Sequence, residues 1–189
     1  MRIFFYGGTF DPPHLGHSNI VKYCLKHCDK FIIIPNKKSP DKLSSLVTDI
    51  NHRLNMLSLL FDNSKISIDL FEIESNDINY TYLTIDYLKR KFNNCKLTMI
   101  IGNDQLANFT KWERYSQILN QVNIICFNRK INNSVDYTND KIKFIESFQY
   151  DISSTNIRMS FNKSKKIVFE EMLDTKIIEY IKEHKLYES

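Results

Sequence analysis

Short apolar runs alternate with helical patterns along this chain. That order predicts an α/β fold: a doubly wound parallel sheet flanked by helices, with a small helical part towards the C-terminal end. Two further observations agree. Three of only four glycines gather where the first apolar run gives way to a helix, which is where open α/β sheets take ligands. A length of 189 residues fits one domain, 1–189, in which about 150–189 form a helical subdomain. A chain of that length buries about 70% of the surface its unfolded form exposes, so no disulfide or metal is needed to hold it together.

The elements follow in order. Ile3–Tyr6 reads as the first strand and Leu15–Cys28 as the first helix, with Leu15, Ile20, Val21, Cys24 and Leu25 on its apolar side. Phe31–Ile34 is a second strand, ended by Pro35. Thr48 or Asp49 can cap a helix that runs to about Phe61 and turns Leu54, Leu57 and Leu60 inward. Ile66–Leu70 is strand-like, Tyr82–Phe92 helical, Leu97–Ile101 a central strand and Asn123–Phe127 another. The polar stretch Asn128–Asp140 reads as a surface loop, and helical patterns over about Ser154–Phe161 and Lys176–His184 complete the tail.

With 42% hydrophobic and 25% charged residues, the composition is that of an ordinary globular protein. Cys24, Cys28, Cys95 and Cys126 form no CxxC pair and have no histidine cluster beside them. That argues against zinc and reads as core thiols in a reducing compartment. The first apolar run meets a glycine pair after six residues, too short for a signal-peptide core, and no run of eighteen apolar residues follows. The expectation is a cytoplasmic (or nuclear) protein with no membrane partner; the number of copies stays open. A net charge of +4 without a dense Lys/Arg stripe suits an anionic small molecule and speaks against nucleic acid.

The chemistry concentrates in Gly7-Gly8-Thr9-Phe10-Asp11-Pro12-Pro13-His14-Leu15-Gly16-His17, which holds three of the four glycines and two of the four prolines. A chain this sparing with glycine uses it where the backbone turns tightly or meets a ligand closely. His14 and His17 are three apart, so they project from one face of the first helical turn. The N–H groups and positive dipole end of that turn favour an anion. Two imidazole donors beside them suit a polyphosphate, and Gly16 between them lets a flat ring lie against the backbone. Neither GxGxxG nor GK[ST] is present, so the segment is neither a dinucleotide fingerprint nor a Walker loop.

A second cluster, Ile152-Ser153-Ser154-Thr155-Asn156-Ile157-Arg158, stands near the other end. Ser153 or Ser154 can cap the helix that follows, and Arg158 can make a bidentate contact to a phosphate.

Taken in order, these motifs resemble the bacterial-type nicotinate mononucleotide adenylyltransferase family, within the HxGH nucleotidyltransferase superfamily. GGTFDPPHLGH and ISSTNIR are similar to its two ATP-binding signatures. Between them, Pro35-Asn36 with Pro40-Asp41-Lys42 resembles its PN…PPHK loop. Arg53-Leu54-Asn55-Met56-Leu57 resembles its RxxML helix, and Tyr80-Thr81-x-x-Thr84 its YTxxT segment. Ile100-Ile101-Gly102-Asn103-Asp104 with Lys111-Trp112 resembles IIGxD…KW, and Tyr180-Ile181 with Leu186-Tyr187 fits its ending. The chain departs from the pattern at Asp41, where His is usual, at Glu113, where an aromatic residue often follows the Trp, and at Asp174, where Pro is frequent.

The resemblance implies a Rossmann-like fold and an adenylyl transfer from ATP to nicotinate mononucleotide that releases pyrophosphate. It gives catalysis to His14, His17 and Arg158, with His17 nearest the α-phosphate. ATP binding falls to Gly7, Gly8, Thr9, Phe10, Gly16, Gly102, Asp104, Ser153 and Ser154. Asn36, Lys42, Thr81 and Trp112 hold the mononucleotide: Lys42 at its phosphate, Thr81 near its carboxylate, and Trp112 stacked on its pyridine ring. Magnesium rides on the substrate phosphates with no dedicated protein cage. The alternatives are nicotinamide mononucleotide or pantetheine phosphate as acceptor, or a nucleotide-binding module without catalysis.

Overall fold

The computed structural model describes residues 1–37, 47–75, 78–127, 139–145, 152–161 and 169–188. Among these residues six parallel strands form one sheet. They are β1 (Arg2–Gly8), β2 (Lys30–Pro35), β3 (Ile66–Ile68), β4 (Lys96–Gly102), β5 (Asn123–Phe127) and β6 (Ile142–Ile145), in the spatial order β3-β2-β1-β4-β5-β6. The order reverses between β1 and β4, which pair from Arg2 opposite Lys96 to Tyr6 opposite Ile100. The expected α/β class and parallel sheet are therefore observed.

Both faces of this sheet are covered, as parallel sheets require. Successive side chains of β1 go to opposite sides. Ile3 and Phe5 join Ile32, Ile34, Met99 and Ile101 on one face, under α4 (Thr81–Lys91) and its buried Ile85 and Leu88. Phe4 and Tyr6 join Phe31, Ile33, Ile100 and Ile125 on the other, against Ile20, Val21 and Cys24 of α1 (Leu15–Cys24). A third cluster links Met56 of α2 (Ile50–Leu60) to Ile157 of α7 (Ser154–Phe161) and to Ile177, Ile178 and Ile181 of α9 (Thr175–Glu183). It packs the tail helices beside α1 and the loop before it. Short helices α3 (Phe71–Glu74), α5 (Asn103–Leu106), α6 (Tyr115–Gln121) and α8 (Phe169–Met172) complete the set.

Several boundaries differ from the sequence expectation, each for a local reason. α1 ends at Cys24 instead of Cys28, because Lys26 and His27 turn back to the carbonyls of Tyr23 and Cys24. β3 stops at Ile68, where the Asp69 carboxylate takes the Phe71 N–H and turns the chain into α3. β6 and the helices α3, α5, α6 and α8 are additional to the elements that the sequence pattern predicts. Of the polar stretch 128–140, residues 128–138 lie outside the described ones.

Cys24, Cys28 and Cys126 are buried free thiols, and burial pushes Cys126 up to about 12. No group of three His, Cys, Asp or Glu side chains suited to a metal occurs among the described residues. Nor is any described helix long and apolar enough to cross a membrane.

Candidate active site

Two cavities open at the carboxyl ends of β1, β2 and β4, at the point where the strand order reverses. That is where a doubly wound sheet leaves a crevice. They adjoin: Gly7, Gly8, Asn36, Gln105 and Trp112 line both. The larger, about 470 Å³, runs between the loop after β1 and the start of α7. The smaller, about 210 Å³, lies between the end of β4 and α4.

The larger cavity gathers Gly7, Gly8, Thr9, Phe10, His14, His17, Gly102, Asp104, Ser153, Ser154 and Arg158 from three separate stretches of chain. His14 caps α1. Its backbone N–H donates to His17 Nδ1 at 3.1 Å, and the His17 N–H donates to His14 Nδ1 at 3.4 Å. The two rings stack with centroids 3.6 Å apart. Because both Nδ1 atoms accept, this network assigns the proton of each neutral imidazole to Nε2. The reciprocal pair also takes up the His17 N–H, so the helix start presents fewer backbone donors than the sequence alone implies.

Gly16 does not line the cavity. A Cβ there would sit 3.0 Å from Cε1 and Nδ1 of His14, so the flat ring lying against Gly16 is that of His14. Gly8 serves a similar end, since a Cβ there would meet the Phe10 ring at 3.1 Å. Phe10 has a left-handed backbone (φ 50°) and is 3% exposed. Its ring is edge-on to Tyr6 and His17, at 5.4 and 4.9 Å. Phe10 therefore packs against the ring of His17 at the edge of the cavity.

The C-terminal cluster braces this loop. Ser153 Oγ accepts the Asn156 N–H at 3.1 Å and so caps α7. The Ser154 hydroxyl donates to the Pro12 carbonyl at 3.0 Å. Arg158 Nη1 donates to the Asp11 carbonyl at 2.6 Å, while its Nη2 lies 3.4 Å from Thr155 Oγ1. Ser154 thus has no spare hydroxyl proton in this arrangement. What it and Thr155 can offer an anion is their first-turn N–H groups.

Three further groups, Arg53, Asp11 and Tyr187, complete the frame, and the sequence motifs alone assign none of them a role. Arg53, 2% exposed, donates to the carbonyls of Thr9 (2.7 Å), Asn36 (2.9 Å) and Thr48 (3.1 Å). Burial lowers its pKa, and the nearby Asp11 charge opposes that shift. Asp11, 2% exposed, accepts the Thr48 N–H at 3.1 Å and the Tyr187 hydroxyl at 2.6 Å. The signal that could have found Arg53 is an arginine on the apolar side of a helix, next to Met56 and Leu57.

The smaller cavity brings together Asn36, Thr81 and Trp112 with Ile34, Met99 and Ile101. Trp112 is half-buried and held edge-on by the buried Phe109 at 5.3 Å. Tyr80 precedes α4 without any side-chain cap, so the first N–H groups of α4 are presented at the cavity wall. The buried Oδ1 of Asn36 has no hydrogen-bond partner among the described residues. Lys42, also expected here, and Asp41 lie outside the described residues. Glu113 lines the cavity from an exposed position. Asp174 accounts for its own departure from proline, since its carboxylate caps α9 on the Lys176 N–H at 3.0 Å.

Comparison with known proteins agrees with this geometry. Residues 5–160 match the Cytidylyltransferase-like family. The chain is 33% identical to the nicotinate-nucleotide adenylyltransferase of Bacillus subtilis, over 100% of this chain and 99% of that protein. The chain belongs to the nicotinate-nucleotide adenylyltransferase family. A probable nicotinate-nucleotide adenylyltransferase of Leptospira interrogans is also 33% identical, over 96% of this chain and 94% of its own length. The fold recurs in Plasmodium falciparum nicotinic acid mononucleotide adenylyltransferase complexed with NaAD. There the TM-score is 0.82 at 24% identity, covering 98% of this chain and 97% of that one. Within the nicotinate-nucleotide adenylyltransferase family, then, the Gly-Gly loop, the paired histidines and the brace from α7 form one connected unit in this chain.

Proposed function

We infer that this chain transfers the adenylyl group of ATP to nicotinate mononucleotide, forming nicotinate adenine dinucleotide and pyrophosphate, a step of NAD biosynthesis. The observation that carries the reading is the pair of adjoining cavities that share Gly7, Gly8, Asn36 and Trp112. A reaction joining two nucleotides needs two such sites meeting at one reacting phosphorus. The full-length relatives named above supply the substrate class.

The attacking group is the 5′-phosphate of the mononucleotide. Its second pKa is about 6, so near neutral pH it is already a dianion and needs no general base. The work left to the protein is to align two anions and to stabilise charge as the bond to pyrophosphate breaks. The imidazoles donate from Nε2 to the α-phosphate region, with His17 nearest the transferring phosphorus. The remaining guanidinium N–H groups of Arg158 and the first-turn N–H groups of Ser154 and Thr155 hold the departing pyrophosphate. Gly7, Gly8, Thr9, Gly102 and Asp104 form the bed for adenosine.

In the smaller cavity the pyridine ring stacks on Trp112, whose electron-rich face attracts a pyridinium. Its carboxylate lies at the uncapped start of α4 beside Thr81. A ribose hydroxyl donates to Asn36 Oδ1, the buried acceptor that otherwise lacks a partner. Lys42 would meet the mononucleotide phosphate.

The donor set fits a magnesium ion that arrives on the triphosphate. Of the two acids lining the larger cavity, Asp11 has both carboxylate oxygens engaged, and Asp104 is the exposed one that could join through water. When bound, magnesium would screen the repulsion between the phosphates.

The test is pyrophosphate release with ATP and magnesium, comparing nicotinate mononucleotide, nicotinamide mononucleotide and phosphopantetheine. Fast turnover with the nicotinate form is expected. Preference for the amide would overturn the substrate, and activity only with phosphopantetheine would leave just the ATP half of the reading.

A further inference from the structure

Glu72 lines the smaller cavity, yet nothing in the reaction above uses it. It stands in α3 and is 9% exposed. Its Oε1 accepts the Thr84 hydroxyl at 2.7 Å, and its backbone carbonyl accepts Asn79 Nδ2 at 2.6 Å. Thr84, 2% exposed, lies one turn into α4 from Thr81, so Glu72 sits beneath the helix start given above to the substrate carboxylate.

Burial raises the Glu72 carboxyl to about 7, and the Thr84 hydroxyl, which favours the anion, offsets this only in part. Among the described residues no charged neighbour contributes to that shift. The other charged side chains lining the cavity among the described residues are Lys111 and Glu113, both exposed. Lys91, on the far turns of α4, is engaged by Asp69 of the β3–α3 turn at 2.8 Å. The group therefore carries its charge, when it has one, in a buried wall with no counter-ion among the described residues, where repulsion of a second anion is weakly screened.

We propose that Glu72 sets the charge tolerance of the pyridine cavity: protonated at Oε2 it lets the carboxylate of nicotinate mononucleotide approach the start of α4, and ionised it repels it. The proposal rests on the function inferred above and makes Glu72 a specificity-determining residue of the acceptor site. A substrate bearing an amide in place of the carboxylate would not feel the switch.

The experiment measures KM and kcat for both substrates from pH 6 to 8.5 in the wild type, Glu72→Gln and Thr84→Val. The mononucleotide phosphate titrates in all three, so the ratio of wild-type to Glu72→Gln KM isolates the carboxyl. That ratio is expected to rise about ten-fold per pH unit above its midpoint, as the competent fraction falls. The KM for ATP should stay level. Thr84→Val removes the donor that favours the anion and should move the midpoint to higher pH, a change that a purely structural role would not produce. An unchanged pH profile in Glu72→Gln, or a parallel shift in the KM for ATP, would overturn the role of Glu72 alone. No turnover of nicotinate mononucleotide in the wild type would overturn that role together with the function it rests on.

Discussion

The hydroxyl of Tyr187 donates to Oδ1 of Asp11 across 2.6 Å, joining residues 176 positions apart in the chain. Asp11 is the centre of the loop between the glycine pair and the histidines, and it is 2% exposed. Beyond its own His14–His17 pairing, the loop is held by donors from α2, α7 and the segment after α9.

Tyr187→Phe removes that hydroxyl and leaves a carboxylate oxygen of Asp11 buried without its donor. Such a loss costs about 1–3 kcal/mol. Thermal or urea unfolding should record that drop, and the KM for ATP should rise with it. A variant as stable as the wild type would mean that water replaces the hydroxyl.

Arg53→Lys keeps a positive charge but replaces a planar fork with a point donor, which cannot serve the carbonyls of Thr9, Asn36 and Thr48 at once. Leaving one or two of them unpaired is expected to cost about 2–4 kcal/mol. Because Asn36 lines both cavities, the KM of both substrates should increase. Denaturant titration and steady-state kinetics read the two effects separately.

Gly16→Ala separates fold from chemistry. Alanine suits a helix better than glycine by about 1 kcal/mol, so stability should hold. The new Cβ, however, would stand 3.0 Å from the His14 ring and force it out of its pairing with His17. The kcat should fall by about ten-fold or more while the melting temperature stays within a few degrees. Direct removal in His17→Ala should cost kcat about 10²–10³-fold, and near-normal turnover would exclude its phosphate role.

Glu72 also makes stability depend on pH. Its carboxyl rises from 4.5 to about 7 in the folded state, so between those values the folded chain binds more protons than the unfolded chain. Stability is then full below pH 4.5 and falls as pH rises through about 7, by about 3 kcal/mol from this one group. In Glu72→Gln that loss should be missing. Denaturation midpoints at pH 5 and pH 8, compared between wild type and variant, check the sign.

The fold was legible wherever a periodic pattern ran long enough. β1, β2, β4 and β5 are apolar runs between turn signals, and α2 and α7 carry recognisable starts. β6 escaped because Ile142–Ile145 is only four residues long and follows a polar stretch that reads as loop. The short helices escaped because four to seven residues hold too little of a 3.6-residue period. At the site, the glycine and histidine positions could be read from their rarity and spacing. The partners of Ser154 and Arg158 could not be read, because their hydrogen bonds go to the carbonyls of Pro12 and Asp11, and backbone acceptors leave no mark in a sequence. Glu72 had no motif to mark it, and its interest comes wholly from its burial against Thr84.

The bracing of Asp11 also has a meaning in time. Ribosomes release this loop early, whereas Ser154, Arg158 and Tyr187 follow it by more than a hundred residues. A nascent chain can pair β1 with β2 and β4 long before the residues that brace the loop exist. Synthesis order therefore withholds the braced form of this loop until the tail helices dock, and fragments released early would carry a sheet without it.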